Sequence, residues 1–352
     1  MNPLSNWLDF TDGEIEKPLA FLSMKSKAEC CLFPSRAELL VTKTAFLLRI
    51  LLVFPHRILF VGKIVPLIAK FDPWQSGLCT CPSKLTFNPY TGCDHQCIYC
   101  YASSYILNFK DCRPKKDLLA VLKREALKLN GETISLSNSS DPYPCAEVSE
   151  GLTRRCLEIL SESNCKIQII TKSNLVVRDD DLLRKVPSTV ALTITTEDDT
   201  LGKLMEPFAP LPSQRLRAAK DLIKVGIPVS VRIDPIIPLV NDQPHELIST
   251  LAKIGVKHLT CSTYKAKPDN WMRFVQAMPK IAEKIKHLYF QQGEKVGGNT
   301  LLPQEIRFKI LQNAREMALA EGMKFGVCRE GLTALNTAPC DGSWLMPEAK
   351  EA

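Results

Sequence analysis

The amino-acid sequence predicts an α/β protein whose strands form a six-stranded partial barrel. Three observations lead to this fold class. Short β-rich runs alternate with helical segments from about residue 84 onward, six such units follow one another, and several strands are polar on one face. Alternating strands and helices build a parallel sheet with right-handed crossovers. The polar faces then decide between an open doubly wound sheet and a curved one.

The six predicted strands are short and rich in residues with high β-propensity. They are KLTFN (84–88), TISLSN (133–138), KIQIITK (166–172), TVALTIT (189–195), PVSVRID (228–234) and KHLTCST (257–263). The predicted helices cover residues 115–129, 150–163, 213–226 and about 244–254. Ser149 is the expected N-cap of the second helix, and Gly226 is the expected C-cap of the third.

The strands alternate between an apolar and a polar face. In PVSVRID, for example, Ser230, Arg232 and Asp234 share one face, and valine and isoleucine occupy the other. A parallel strand covered by helices on both faces would be apolar throughout, and a closed eight-stranded barrel has an apolar interior. Polar residues on one face therefore favour a partial barrel whose lumen holds a polar ligand.

The composition is that of a soluble globular protein with many cysteines. The chain has 352 residues, a formal net charge of +7 and 14 cysteines. The mild basic charge suits a polyanionic partner without requiring one. Because the first 25 residues show no export signal, clustered cysteines indicate metal ligands or redox groups rather than disulfides. The expected compartment is the reducing cytoplasm.

Three segments are predicted along the chain: an N-terminal extension (1–62), a working core with flanking segments (63–347) and a short tail (348–352). Residues 45–62 of the extension are strongly apolar, but Arg49 and Arg57 lie within them. A charge at the bilayer centre costs about 2.5–3.5 kcal/mol. We therefore expect an amphipathic extension, or a segment outside the working core, and no membrane partner.

The segment NPYTGCDHQCIYCYA (88–102) carries Cys93, Cys97 and Cys100 with the spacing C-x₃-C-x₂-C. Structural zinc takes four ligands, and His95 could serve as the fourth, but it lies inside the same tight loop, which is awkward for tetrahedral closure. A plain electron-transfer 4Fe–4S cluster also uses four cysteines. Three cysteines on such a cluster leave one iron for a reactant. A zinc knuckle and a plain electron-transfer cluster remain the structural alternatives.

This motif, with Tyr99 just before its last cysteine and six βα units after it, resembles the radical S-adenosylmethionine (SAM) superfamily. Within that superfamily, NPYTGCDHQCIYCYA, SNSSDPYPCAE and NTAPCDGS resemble the group of spore photoproduct lyase and the DNA repair photolyase-like proteins. The resemblance runs from about Pro66 to Pro347 and includes the partial-barrel fold.

The resemblance implies a 4Fe–4S cluster on the three cysteines, with SAM bound to the remaining iron. One electron from a low-potential donor then cleaves SAM to methionine and a 5′-deoxyadenosyl radical, which abstracts a hydrogen atom from the substrate. Nucleic acid is the leading expected substrate, by this resemblance and the basic charge. A radical enzyme acting on a protein or small metabolite, and a non-catalytic iron–sulfur or metal-binding protein, are the alternatives.

The resemblance also suggests SAM-binding residues at the carboxyl ends of the strands. The candidates are Tyr99 near the adenine, Ser140 and Asp141 for the methionine ammonium, Lys172 for the carboxylate or ribose, and Thr195 and Arg232. Each has a structural alternative: a packing tyrosine, an Asp–Pro turn, a surface lysine, and an Arg232 pairing with Asp234 or Glu197.

Two expectations concern the remaining cysteines. Cys79, Cys81, Cys328 and Cys340 could meet as a second metal site, or remain isolated thiols. In spore photoproduct lyase, a cysteine two residues before the Ser–Asp pair donates a hydrogen atom, but this chain has Asn138 there. That departure puts a DNA-lesion substrate in doubt and leaves Cys145 as the nearest substitute.

Overall fold

The computed structural model describes residues 66–71, 77–137 and 139–348. The described residues do not include the predicted extension with its apolar segment 45–62. They also leave out Asn138 and residues 349–352 of the predicted tail. No helix within the described ranges is long and apolar enough to span a bilayer.

Within the described residues, twelve strands form one large sheet and two small two-stranded sheets. The strands are β1 (Ala69–Lys70), β2 (Leu85–Phe87), β3 (Tyr90–Thr91), β4 (Arg113–Pro114), β5 (Glu132–Leu136), β6 (Cys165–Thr171), β7 (Ser188–Thr193), β8 (Val229–Ile236), β9 (His258–Thr263), β10 (Glu294–Val296), β11 (Asn299–Leu301) and β12 (Lys324–Val327). The large sheet has the order β1-β2-β5-β6-β7-β8-β9-β12, and all its neighbours are parallel except β1 and β2. Within the described residues β1 and β12 do not pair with each other, so the barrel is partial.

The part of the chain that the structure describes has ten α-helices between these strands. They are α1 (Leu118–Ala126), α2 (Glu147–Glu150), α3 (Leu152–Ser161), α4 (Asp180–Leu183), α5 (Asp199–Met205), α6 (Pro212–Lys224), α7 (His245–Ile254), α8 (Pro268–Ala277), α9 (Pro279–Phe290) and α10 (Gln304–Ala320). The longer helices bury one apolar stripe, as in α3, where Cys156, Leu157 and Leu160 are fully buried.

The predicted fold class is confirmed, and each of the six predicted strands is present in the sheet. Two details differ. The helix predicted from Glu150 with Ser149 as its N-cap is two helices, because Gly151 adopts a left-handed φ of +57° between α2 and α3 and Ser149 lies inside α2. A seventh parallel strand, β12, extends the sheet beyond β9.

Polar residues of neighbouring strands lie side by side on one face of the sheet, as predicted. Ser135 lies beside Gln168, and Gln168 beside Thr189, while Arg232 lies beside Thr260 in the adjoining strands. Side chains at paired positions of parallel strands point to the same face. The lumen of the partial barrel is therefore lined by polar groups.

The segment after β12 fills the amino-terminal end of this lumen. Asp341 accepts a hydrogen bond from the Lys84 ammonium at 2.6 Å, and its backbone carbonyl accepts one from Gln168 at 2.9 Å. Gly342 approaches Ser230 so closely that a Cβ there would lie 2.7 Å from the serine Cβ. Because protein occupies this end, the carboxyl ends of the strands are the side available to a ligand.

Candidate functional site

The loop with Cys93, Cys97 and Cys100 follows β3 and packs into the protein core. Cys93 and Cys97 are each 8% exposed, and Cys100 is half-buried. The Cys93 amide donates to the Phe109 carbonyl at 2.7 Å, and the Ile98 amide donates to the carbonyl of Met205 at the end of α5 at 2.9 Å. Backbone hydrogen bonds on both flanks therefore fix the spacing of the thiols.

Gly92 is required where this loop begins. Its φ is +83°, and a Cβ would lie 2.5 Å from the carbonyl oxygen of Phe109 and 2.8 Å from that of Asp111. Only glycine combines a left-handed backbone with so close an approach. The residue thus allows the Cys93 amide to reach its acceptor.

Helix α8 holds the other side of the loop from its first turns. Arg273 donates to the Cys100 carbonyl at 2.7 Å, and the Asn270 side chain donates to the Tyr99 carbonyl at 3.1 Å. Asp269 accepts a hydrogen bond from Ser103 at 2.6 Å. These contacts satisfy loop carbonyls that would otherwise be buried without partners.

A buried ion pair lies beneath the loop. Glu206 pairs with Arg215 of α6, and both side chains are fully buried. Glu206 also accepts hydrogen bonds from the Tyr99 hydroxyl and, at 3.2 Å, from the Thr195 hydroxyl. Burial raises the pKa of Glu206, but the nearby Arg215 and Lys172 outweigh it, so the pKa is lowered and the carboxylate is ionised.

Burial also raises the pKa of each of the three thiols. It raises the pKa of Cys97 to about 12, although the Lys172 ammonium acts in the opposite direction. The pKa values of Cys93 and Cys100 are raised by burial too. Metal ligation requires thiolates, so loading this loop with iron would release protons.

Asp141 is held by the end of β6 and the residues after it. Its carboxylate accepts hydrogen bonds from the Thr171 hydroxyl at 2.5 Å, the Lys172 amide at 2.7 Å and the Tyr143 amide at 2.9 Å. His95 Nδ1 lies 3.6 Å from the same carboxylate. His95, the residue that could complete a zinc knuckle, therefore faces Asp141.

The other predicted SAM-binding residues make separate contacts. The Ser140 hydroxyl donates to the Tyr90 carbonyl at 2.9 Å, and the Lys172 ammonium lies 5.4 Å from the centre of the Tyr99 ring. Arg232 pairs with Asp234 at 2.5 Å. Of the two predicted carboxylate partners, Asp234 pairs with Arg232, while Glu197 contacts Thr250 at 3.4 Å.

The structure divides the four cysteines of the predicted second metal site. The thiols of Cys81 and Cys340 lie 3.7 Å apart, and the Cys81 thiol also hydrogen-bonds that of Cys79. Cys328 instead contacts the Arg232 guanidinium. The joint four-cysteine site is not supported by this arrangement. Cys145 is exposed, and Asn138 lies outside the described ranges.

Sequence reasoning missed three residues that build the site: Glu206, Arg215 and Asn270. A signal for Arg215 was present, because it lies three, four and seven residues before the buried Ala218, Ala219 and Leu222, and therefore on the buried face of α6. Glu206 and Asn270 lie in segments without a comparable pattern, and only the folded chain brings them to the loop.

The donor set fits a 4Fe–4S cluster better than a single ion. No three Cys, His, Asp or Glu side chains of the described residues converge on one ion-sized point. A cube takes one thiolate on each of several irons, so its ligands need not converge. Two buried thiols and a half-buried one on a single fixed loop, with the Lys172 ammonium beside Cys97, suit such a cluster.

Comparison with protein families agrees with this chemistry. The model of the radical SAM superfamily matches residues 87–252, which include the cysteine loop and β5 to β8. Residues 87–252 therefore form a radical SAM domain, and the cofactors of that superfamily are a 4Fe–4S cluster and SAM.

The curated relatives carry no described activity. An uncharacterized protein of Mycobacterium tuberculosis is 27% identical over 231 residues, which are 59% of this chain and 68% of the relative. An uncharacterized protein of Methanocaldococcus jannaschii is 35% identical over 163 residues, which are 44% of this chain and 61% of the relative. The chain thus spans less than two thirds of the second relative.

Among solved structures, a spore photoproduct lyase variant with bound SAM and dinucleoside spore photoproduct superposes with a TM-score of 0.52. The match covers 73% of this chain and 79% of that chain at 15% sequence identity. At this identity the likeness establishes the fold alone.

Replacing Gly92 with alanine should displace the cysteine loop. Left-handed strain costs about 1–3 kcal/mol, and the contacts with Phe109 and Asp111 add an overpacking cost of about 1–3 kcal/mol. We expect a lower free energy of unfolding in urea and several-fold less iron per chain after reconstitution.

Gly131→Ala is the matched control for this change. Gly131 also has a left-handed φ of +89°, but nothing lies within 4 Å of its Cβ position. The Gly131→Ala variant should be destabilised by the same backbone strain but keep its full iron content. Equal iron content in the two variants would show that the close approach at Gly92 does not position the loop.

Proposed function

We propose that Cys93, Cys97 and Cys100 hold a 4Fe–4S cluster and that SAM binds between this loop and the carboxyl ends of the strands. The observation that carries the proposal is the position of Lys172, whose ammonium faces Tyr99 and the Cys97 thiol. When bound, the cluster and SAM supply a 5′-deoxyadenosyl radical for hydrogen abstraction. An external low-potential electron donor is required for that step.

The surrounding residues suit the polar ends of SAM. Asp141 has three protein donors, and a carboxylate has about four acceptor sites, which leaves capacity for the methionine ammonium. The Ser140 hydroxyl donates to Tyr90 and can accept from the same ammonium. We assign the carboxylate or ribose to Lys172, the adenine side to Tyr99, and supporting contacts to Thr195 and Arg232.

We further propose that the substrate is a nucleic acid and that the reaction is lyase-like. Tyr101 and Tyr105 follow the cluster loop directly, are 38% and 57% exposed, and have ring centres 6.5 Å apart. The Lys267 ammonium lies 5.9 Å from the Tyr105 ring centre. Exposed aromatic rings beside cations provide stacking and phosphate contacts for unpaired bases.

Two further points support this substrate class. The net charge of +7 is favourable for a polyanion. Spore photoproduct lyase, whose fold is similar, binds a dinucleoside photoproduct. In this chain the exposed Cys145 is our candidate for hydrogen donation to a product radical, in a reducing cytoplasmic setting.

The enzyme proposal predicts reductive cleavage of SAM. Protein reconstituted with iron and sulfide and then reduced should convert SAM to methionine and 5′-deoxyadenosine, measured by liquid chromatography. Cys97→Ala should reduce the yield to background, because one cluster ligand is lost. Cys165→Ser should retain activity, since Cys165, at the start of β6, donates to the Leu160 carbonyl and a serine hydroxyl can replace that hydrogen bond. No cleavage by a fully loaded cluster would contradict the proposal.

The substrate proposal predicts salt-sensitive binding of single-stranded DNA, measured by fluorescence anisotropy. The Kd should rise steeply with salt, because phosphate contacts release counterions. Tyr105→Ala should weaken binding about 5- to 150-fold, since stacking contributes about 1–3 kcal/mol per base. Phe308→Ala, which removes a 44% exposed ring on α10, is the control. Salt-insensitive or undetectable binding would favour a protein or small-metabolite substrate.

A further inference from the structure

The thiols of Cys81 and Cys340 form a pair beside the segment that fills the amino-terminal end of the lumen. We propose that this pair is a redox site, at which hydrogen peroxide converts the two thiols to a reversible disulfide. Cys81 precedes β2 and Cys340 follows β12, so the two residues come from opposite ends of the strand order. Their sulfurs are 3.7 Å apart, although 259 positions separate them in the sequence.

The surroundings of the pair suit thiol chemistry rather than metal binding. No three Cys, His, Asp or Glu side chains of the described residues are placed to hold one metal ion. A disulfide needs only the two sulfurs, which lie about 2.05 Å apart once bonded. Cys81 and Cys340 must therefore approach by about 1.6 Å. Both residues lie outside helices and strands, so side-chain rotation and a small loop shift can bring the sulfurs together.

Cys340 is the nucleophile of the pair. Its sulfur accepts a hydrogen bond from the Thr80 hydroxyl at 3.6 Å and contacts the Cys81 thiol. The hydrogen bond from Cys81, with that from Thr80, lowers the pKa of the Cys340 thiol despite its burial. The same contact with Cys340 raises the pKa of Cys81. Cys340 therefore carries the thiolate, which is the reactive form, and Cys81 carries the proton.

A small oxidant can reach this thiolate. Cys340 is 2% exposed, but Cys81 is half-buried and Thr80 is exposed, so the pair borders on solvent on their side. Hydrogen peroxide is little larger than water, whereas a protein or glutathione disulfide needs an exposed sulfur to attack. We therefore name a peroxide as the oxidant.

The reaction has two steps. The Cys340 thiolate attacks one peroxide oxygen and the O–O bond breaks, which leaves a sulfenic acid on Cys340. The other oxygen leaves as hydroxide, and the proton that Cys340 had released converts it to water. The Cys81 sulfur then attacks the Cys340 sulfur, the S–O bond breaks, and hydroxide leaves as water with the Cys81 proton. Two thiols and one peroxide thus give one disulfide and two waters, and two electrons pass from sulfur to peroxide.

The disulfide would hold the segment that fills the lumen. Asp341 follows Cys340 directly and pairs with Lys84 at 2.6 Å. Gly326 of β12 allows the segment to approach, because a Cβ there would lie 2.5 Å from the Cys340 Cα. A disulfide that closes a long loop restricts the unfolded chain and stabilises the folded one. In a reducing compartment such a bond is transient and redox-sensing. The inference is independent of the SAM chemistry.

Peptide mapping of the full-length chain tests the proposal. The protein is treated with increasing hydrogen peroxide, its free thiols are alkylated, and the digest is analysed by mass spectrometry without reduction. We expect a peptide pair linked through Cys81 and Cys340 that disappears after dithiothreitol. Cys81→Ser and Cys340→Ser should each abolish this linked pair. Cys165→Ser, which changes another buried cysteine, should retain it.

Thermal unfolding gives a second measurement of the same bond. The Tm of the oxidised chain should exceed that of Cys81→Ser treated in the same way by about 4–16 °C, and dithiothreitol should remove the difference. Treating both proteins identically cancels any effect of peroxide on the cysteine loop. If Cys340→Ser does not fold, Cys81→Ser at its half-buried position serves alone.

Three results would overturn the assignment. The first is the absence of a Cys81–Cys340 peptide pair from the oxidised chain. The second is a Cys79–Cys81 disulfide in place of that pair, since the C-x-C segment alone would then be the redox site. The third is oxidation of Cys340 to sulfinic or sulfonic acid while Cys81 remains a free thiol, which would show that Cys81 does not trap the sulfenic acid.

Discussion

The buried ion pair between Glu206 and Arg215 fixes the cysteine loop against the sheet. Glu206 accepts from the Tyr99 hydroxyl of the loop and from Thr195, and Arg215 donates to the carbonyl of Thr193 at 2.9 Å, where β7 ends. Removing one member of a buried pair leaves an unpaired charge, which costs about 3–5 kcal/mol. The loop, a strand end and helix α6 therefore keep one arrangement.

The two ends of the lumen are occupied differently, and this decides which end is open to a ligand. At the amino ends of the strands, Lys84, Gln168 and Asp341 satisfy one another's polar groups with hydrogen bonds of 2.6–2.9 Å. At the carboxyl ends, Arg232 pairs with Asp234. Burial raises the pKa of Asp234, but Arg232 and Lys265 outweigh it, so the pKa is lowered to about 2. Charged groups with displaced pKa values at the open end are typical of a functional site.

Much of this architecture could be predicted from sequence, because strand identity and strand facing depend on local patterns. The alternation in PVSVRID predicted a polar lumen, and the structure has one. The break at Gly151 was missed because helical periodicity continues on both sides of it. The pairing of Glu206 with Arg215 and the contact between the Cys81 and Cys340 thiols depend on tertiary packing, which the spacing of residues along the chain does not encode.

Binding of SAM to the iron without a cysteine ligand is tested most directly by electron paramagnetic resonance. The spectrum of the reconstituted, reduced protein should be recorded before and after SAM is added. We expect the signal of a reduced 4Fe–4S cluster, with g-values that change on addition of SAM because its amino and carboxylate groups become ligands of that iron. A loaded cluster whose g-values are unchanged by SAM would contradict the assignment of Cys93, Cys97 and Cys100 as a three-cysteine catalytic site.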